Sequence, residues 1–233
     1  MDFFETIMFP FKWLVSAIMV VFHDGLSAIG MPAANGWTWT LSIIGLVLVI
    51  RAALIPVFVK QIKAQRGMQL LQPDLKKLQD KYKGKTDQLS RQAMAQEQMA
   101  MYKKHGTNPF SACLPMLIQM PVFLAFYWVL LESVEMRQAP FLGWINDLSA
   151  RDPFFILPAL NGLAMWGQYK LNPPPPDPVQ AKVFQFMPIV FSVMFALFPA
   201  GLVLYWVTNT GLSILQQWNI NRTIAAEDKA RKK

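Results

Sequence analysis

Apolar and polar positions alternate along this chain in blocks. Trp37–Val59 is a 23-residue apolar run with one charge, Arg51, ending at Lys60. Pro109–Leu131, Pro153–Tyr169, Val183–Phe198 and Gly201–Leu215 are four more such runs. Each is long enough, or nearly so, to cross a hydrocarbon core about 30 Å thick as a helix. Pro153 stands where a helix tolerates proline, at its first position. Only Pro199 and Ala200 separate the fourth run from the fifth, which predicts an antiparallel helical hairpin. Trp13–Phe22, between Lys12 and His23-Asp24, is apolar for only ten residues. That is short for a span and predicts an interfacial helix, a sixth span being the alternative. A signal peptide is disfavoured because Asp2 and Glu5 spoil a basic leader and no small-residue cleavage site follows.

Between the first two runs lies a polar stretch, residues 60–107. Within it Met68, Leu71, Leu75, Leu78 and Tyr82 recur at alternating spacings of three and four, a heptad stripe. Gly84 is the expected turn, Thr86 or Ser90 the cap of a second helix, and Gly106 its end. The second helix has a weaker stripe in Ala93, Met94, Met101 and Tyr102, and Pro73 is expected to kink or restart the first. The stripe reads as packing within the hairpin in preference to a groove for a partner.

Charge orients the pattern. Hydrophobic residues make up 54% of the 233 and charged residues only 15%, with 22 Lys+Arg against 14 Asp+Glu. Residues 60–107 hold 11 Lys/Arg and four acids, whereas 132–152 hold two Arg and four acids. By the positive-inside rule the hairpin and the tail from Arg222 are cytoplasmic, with the N-terminus outside and the C-terminus inside. The chain therefore divides into an interfacial segment 1–36, a span 37–59, the hairpin 60–107, four spans within 108–219 and a basic tail 220–233. The fold class is an all-α polytopic membrane protein, a five-helix transmembrane bundle with a cytoplasmic hairpin. The hairpin's basic face is either a solvated surface or a dock for anionic lipid or ribosomal RNA.

Candidate chemistry centres on Arg51, about 21 Å along a helix from Trp37. An arginine at a span's centre costs about 2.5–3.5 kcal/mol even on a lenient scale, so it usually faces a polar cavity or a partner. No acid lies inside any of the five runs, which leaves a water-filled cavity or snorkelling to the headgroups. Gln119, Tyr205, Trp206, Thr208 and Asn209 could line such a cavity; Met116, Met120, Met187 and Met194 could supply adaptable apolar surface. The fourth run is only about 24 Å long as a helix, consistent with a locally thinned bilayer. No phosphate loop, zinc-protease motif, nucleophile elbow or intramembrane carboxylate pair is present. One cysteine, Cys113, excludes an intrachain disulfide, and two distant histidines make a metal site unpromising. Neither an enzyme nor a cofactor is expected.

Arg51–Pro56, the stretch from Asn108-Pro109 through Leu114–Pro121, the loop Ser133–Pro140 and Phe198–Trp206 together resemble the YidC-type membrane protein insertases, in the same order and across nearly the whole chain. The resemblance implies a hydrated groove open to lipid and cytoplasm. It implies that Arg51, Gln119 and Trp206, with Tyr205, form the polar groove. Met120, Phe123 and Met194, with Val47, are implied as the apolar face met by an entering helix. Implied partners are nascent membrane proteins, the ribosome, the Sec translocon and membrane lipids, and no nucleotide is hydrolysed. The large extracytoplasmic domain of Gram-negative members is missing from the pattern, and the basic tail is short, so strong ribosome tethering by the tail alone is not expected. The polyproline run after Asn172 is expected to be a stiff spacer. Two other classes stay open on the residues: a small anion transporter or channel using Arg51, and an assembly factor whose groove is inert.

Overall fold

The computed structural model describes residues 3–108, 114–132, 136, 138–172 and 178–231. Cys113, the expected helix start at Pro109, the polyproline run 173–177, part of the 133–140 motif and Lys232–Lys233 lie outside these residues. Seven helices and no strand make up the described chain: α1 (Phe3–Ala28), α2 (Gly36–Lys81), α3 (Gln88–Lys104), α4 (Leu114–Glu132), α5 (Ile156–Leu171), α6 (Pro178–Phe195) and α7 (Ala200–Arg231).

Helix α2 has 46 residues, about 69 Å at 1.5 Å per residue, and so extends far beyond a bilayer core. It starts at Asn35, whose side chain accepts from the Trp37 N–H, and it passes both Lys60 and Pro73 without ending. The boundary expected at Lys60 is thus a change of solvent, since Lys, Gln and Arg continue a helix as readily as Leu. Lys81 and Tyr82 close the helix, and Gly84 turns the chain at φ +85°, a left-handed conformation that glycine adopts without penalty. Asp87, neither Thr86 nor Ser90, caps α3, its carboxylate accepting from the Ser90 N–H at 2.9 Å. Gly106 at φ +61° follows the end of α3, as expected. Leu71, Leu75 and Tyr102 are buried together, with Met68 and Met101 against them, so the heptad stripe is hairpin packing. Across the hairpin, the Lys81 ammonium and the Tyr82 hydroxyl both donate to Glu97. These bonds hold the Glu97 carboxyl below its ordinary range and raise Lys81 and Tyr82 above theirs.

One end of the bundle is sealed by the 136–152 segment. Met136, Ala139, Ile145 and Leu148 are buried there, and Phe141 packs edge-on to Trp37. The first free N–H groups of α7 are satisfied by this segment, Ala200 donating to Ala150 O and Gly201 to Leu148 O. Helix α5 starts after Asp152, whose carboxylate accepts from the Phe154 and Leu157 N–H groups. Phe155, at φ 56°, is the cap residue, so Pro153 precedes the helix and does not occupy its first position.

Helix α1 is 26 residues long, and its part Thr6–Ala28 is apolar and long enough to cross a membrane. Its contacts run elsewhere. Phe22 crowds Gly45 and His23 stacks on Trp39 near the start of α2, while Lys12 pairs with Glu132, the last residue of α4. Beside α2, a crossing helix would carry Lys12 about 15 Å beyond Phe22 toward Ile55. It reaches the sealed end instead, so α1 lies across that end, longer than the ten-residue run foretold. Its own Met8, Val15 and Met19 are buried in the core.

The expected hairpin of the last two spans is splayed. Helix α5 packs on both α6 and α7, while α6 and α7 do not pack along their lengths. Gly162 makes the α5–α6 approach close: a Cβ there would stand 1.9 Å from the Ser192 hydroxyl, which donates to Pro158 O. Helices α4 and α6 likewise do not pack along their lengths among the described residues. Helix α7 continues past Leu215 to Arg231, so the segment expected as a separate tail is helical.

Candidate functional site

Arg51 is 8% exposed, buried in the middle of α2. Its whole guanidinium edge is directed at α7. Nε donates to Asn209 Oδ1 at 2.9 Å, Nη1 to Gln216 Oε1 at 3.1 Å, and Nη2 to Ser213 Oγ. Residues 209, 213 and 216 are spaced four and three apart, which sets them on one face of α7. The Ser213 hydroxyl in turn donates to Asn209 O at 2.8 Å, leaving its lone pairs for the arginine. Phe58, two turns further along α2, covers the guanidinium at 4.9 Å.

The charge is solvated by neutral groups and left uncompensated. No carboxylate pairs with Arg51 among the described residues, and the Gln216 Nε2 is buried with no hydrogen-bond partner. Hydrogen bonds meet part of the desolvation cost of a buried cation, but only an anion cancels its charge. The cluster can therefore attract a carboxylate, a carbonyl or water, and has a spare donor beside it.

The same α7 stripe continues away from the hairpin end. Tyr205, one turn before Asn209, accepts from Gln119 Nε2 of α4 and stacks on Phe126 at 4.7 Å. Trp206 meets Phe123 of α4 edge-on and Phe195 of α6, each at 5.3 Å, so one indole joins three helices. Met120 and Met194 are about two-fifths exposed on α4 and α6, and Phe123 is half-buried against Trp206. Leu117 is more exposed still, and was not singled out from sequence. Two expected residues do not line an open surface: Val47 and Tyr205 are each 1% exposed and belong to the core. A shallow apolar depression of about 490 Å³ on α6, lined by Lys182, Val183, Phe186, Met187 and Val190, shares no residue with the Arg51 cluster.

Ser213 and Gln216 were missed in the sequence. Their signal was present: Tyr205, Asn209, Ser213 and Gln216 recur at four, four and three, the spacing of one helix face.

Comparison with known proteins follows this geometry. Residues 31–228 match the family model described as 60Kd inner membrane protein. The chain belongs to this family. Membrane localisation follows for this chain. It is 50% identical over 191 residues to a membrane protein insertase YidC of Francisella philomiragia subsp. philomiragia, and 51% identical to that of Francisella tularensis subsp. novicida. Each match covers 82% of this chain and 34% of the relative, so the chain spans about a third of those proteins' length. Among solved structures, an active YidC insertase with its first transmembrane domain resolved has TM-score 0.66 at 24% identity, over 92% of this chain and 46% of that one. That likeness concerns the fold.

Proposed function

We propose that this chain moves nascent transmembrane segments from the cytoplasm into the bilayer, without nucleotide hydrolysis. The observation that carries the reading is the buried, uncompensated Arg51 on the polar stripe of α7, beside helices α4 and α6, which do not pack along their lengths among the described residues. A polar or acidic segment of the incoming chain approaches Arg51 and the free Gln216 donor, which offset its loss of water. Its apolar helix then passes Leu117, Met120, Phe123 and Met194 into lipid. Burial of that helix drives the step, at about 0.8 kcal/mol per CH₂. Water entering from the hairpin end hydrates the cluster, and the 136–152 segment closes the opposite end.

In this reading the hairpin end faces the cytoplasm and the sealed end faces outward, which places the N-terminus outside. The 11 Lys/Arg of residues 60–107 and the basic end of α7 then stand where a ribosome and its RNA arrive. The Sec translocon is a lateral partner at the α4–α6 opening.

A photo-crosslinking amino acid at Met120 or Met194 tests the path. Ribosome-bound chains carrying one transmembrane segment should be captured from both positions, and not from Val47 inside the core. Capture from none of the three, or equal capture from Val47, overturns the path.

A further inference from the structure

At the hairpin end, α5 and α7 carry the same device twice. Lys170 Nζ lies 5.1 Å from the Trp166 ring, and the Arg222 guanidinium 4.6 Å from the Trp218 ring. Both are spaced i, i+4, aromatic first. Both indoles are half exposed, Trp166 at 50% and Trp218 at 51%, and both basic residues are exposed. No acid pairs with either cation among the described residues.

The two devices share one seam. Gln217 Nε2 donates to Asn172 Oδ1 at 2.6 Å, which sets the end of α5 level with Trp218. A Cβ on Gly167 would meet only Ile214, at 3.9 Å, so the helices approach across a residue without a side chain. Lys170 follows Gly167 by three residues and Trp218 follows Ile214 by four, so each stands one turn further along the same outward edge. Gly211, one turn before Leu215, has open space around it, and Leu163 and Leu215 are exposed on either side. The result is a seam between α5 and α7, hereafter the notch, with exposed leucines toward mid-membrane and indoles and cations at its hairpin end.

We infer that this notch binds one anionic phospholipid from the leaflet at the hairpin end. Its phosphate sits between Lys170 and Arg222, the two indoles flank the glycerol region, and one acyl chain lies along Gly167 and Gly211. Cations beside tryptophans at the interface are the groups that anchor headgroups, and basic pockets between helices select anionic lipids. A free phosphate would satisfy the cations but leave the glycine notch and the exposed leucines without a partner, which is why the lipid is the occupant. The site shares no residue with the Arg51 cluster and does not depend on the insertion reading.

Native mass spectrometry of the purified chain, with equimolar phosphatidylglycerol and phosphatidylcholine added to the detergent, tests this. Wild type should retain phosphatidylglycerol preferentially, each basic side chain contributing roughly fivefold. K170Q and R222Q should each lose about that factor, and K170Q/R222Q nearly all of it. All four groups are exposed, so the fold is spared, and the single variants decide if the double is poorly made. K60Q/K182Q, which removes two charges at the same end outside the notch, should behave as wild type, and inorganic phosphate should not displace the lipid. Equal retention of the two lipids by wild type, an equal loss in K60Q/K182Q, or displacement by inorganic phosphate overturns the proposal.

Discussion

Gly36→Ala sets local helix preference against tertiary fit. Gly36 is the first residue of α2, and alanine there gains at most about 1 kcal/mol of helix propensity. The added methyl, however, would stand 2.2 Å from the carbonyl oxygen of Pro140, 2.4 Å from its carbon and 2.9 Å from Ala139 O. All three are backbone atoms, and no rotamer change relieves them. The segment they belong to is held on both sides, Leu148 donating to Ala139 O at 3.3 Å and Phe141 to Ile145 O at 2.9 Å, with Ala139, Ile145 and Leu148 buried. Separating it from α2 by about an ångström is overpacking, which costs typically 1–3 kcal/mol. The net expectation is destabilisation of up to about 2 kcal/mol, a fall in Tm of about 2–4 °C per kcal/mol for a chain of this size. Thermal unfolding in detergent, followed by helical circular dichroism, measures it. An unchanged or raised Tm would show that helix propensity governs this position and that the 136–152 seal is not seated on α2.

Three further outcomes follow from named contacts. Asp152→Ala should lower stability by about 0.5–2 kcal/mol, because its carboxylate accepts from two N–H groups at the start of α5; Asp152→Asn should restore most of it, as read by denaturant titration. Gly162→Ala should cost less than Gly36→Ala, since the clashing atom is a serine hydroxyl that can rotate at the loss of one interhelical hydrogen bond, worth about 0.6–2 kcal/mol; a larger loss in the same unfolding experiment would contradict that ordering. The Glu97 contacts should make the hairpin pH-sensitive in one direction. Its carboxyl is held below the ordinary value of 4.5, so its contribution is present above that value and is lost as pH falls through the folded-state value. Proteolysis within residues 82–104 should therefore rise on acidification below about pH 4.5 in wild type, while Glu97→Gln should show a smaller rise, the remainder coming from the Asp87 cap, whose carboxyl is also held below its ordinary value by Ser90.

The apolar blocks marked the helices because lipid-facing and core-facing residues are both apolar, and the heptad stripe marked the hairpin because Leu71 and Leu75 need a partner helix. Helix ends were harder. Lys60 ends the apolar block but not the helix, and Arg222 begins a basic segment but leaves α7 intact, since charge reports the solvent and not the backbone. The cap Asp87 lost to its neighbours Thr86 and Ser90 in the sequence, because a cap is chosen by which side chain reaches the free N–H groups. The two-residue turn at Pro199 and Ala200 correctly implied a reversal, yet α5 lies against both helices and holds them apart, a tertiary effect that loop length does not carry. In the site, Arg51 stood out as a lone charge, and Gln119, Tyr205 and Asn209 joined it in one α7-centred stripe. Ser213 and Gln216 were hidden because Gln216 reads as the polar end of a span. The burial of Val47 was not legible, since an apolar residue's exposure depends on neighbours that its own sequence does not name.

The central claim is that the uncompensated charge of Arg51 draws the polar segment of an incoming chain into the α7 stripe. Its most direct measurement is insertion of matched single-span substrates, with acidic or neutral outer tails, into vesicles holding wild type, Arg51→Lys or Arg51→Gln. Insertion of the acidic-tailed substrate should fall strongly in Arg51→Gln and be largely kept in Arg51→Lys, while the neutral-tailed substrate changes little. Equal insertion of the acidic-tailed substrate by all three, at equal protein content and Tm, would contradict the account.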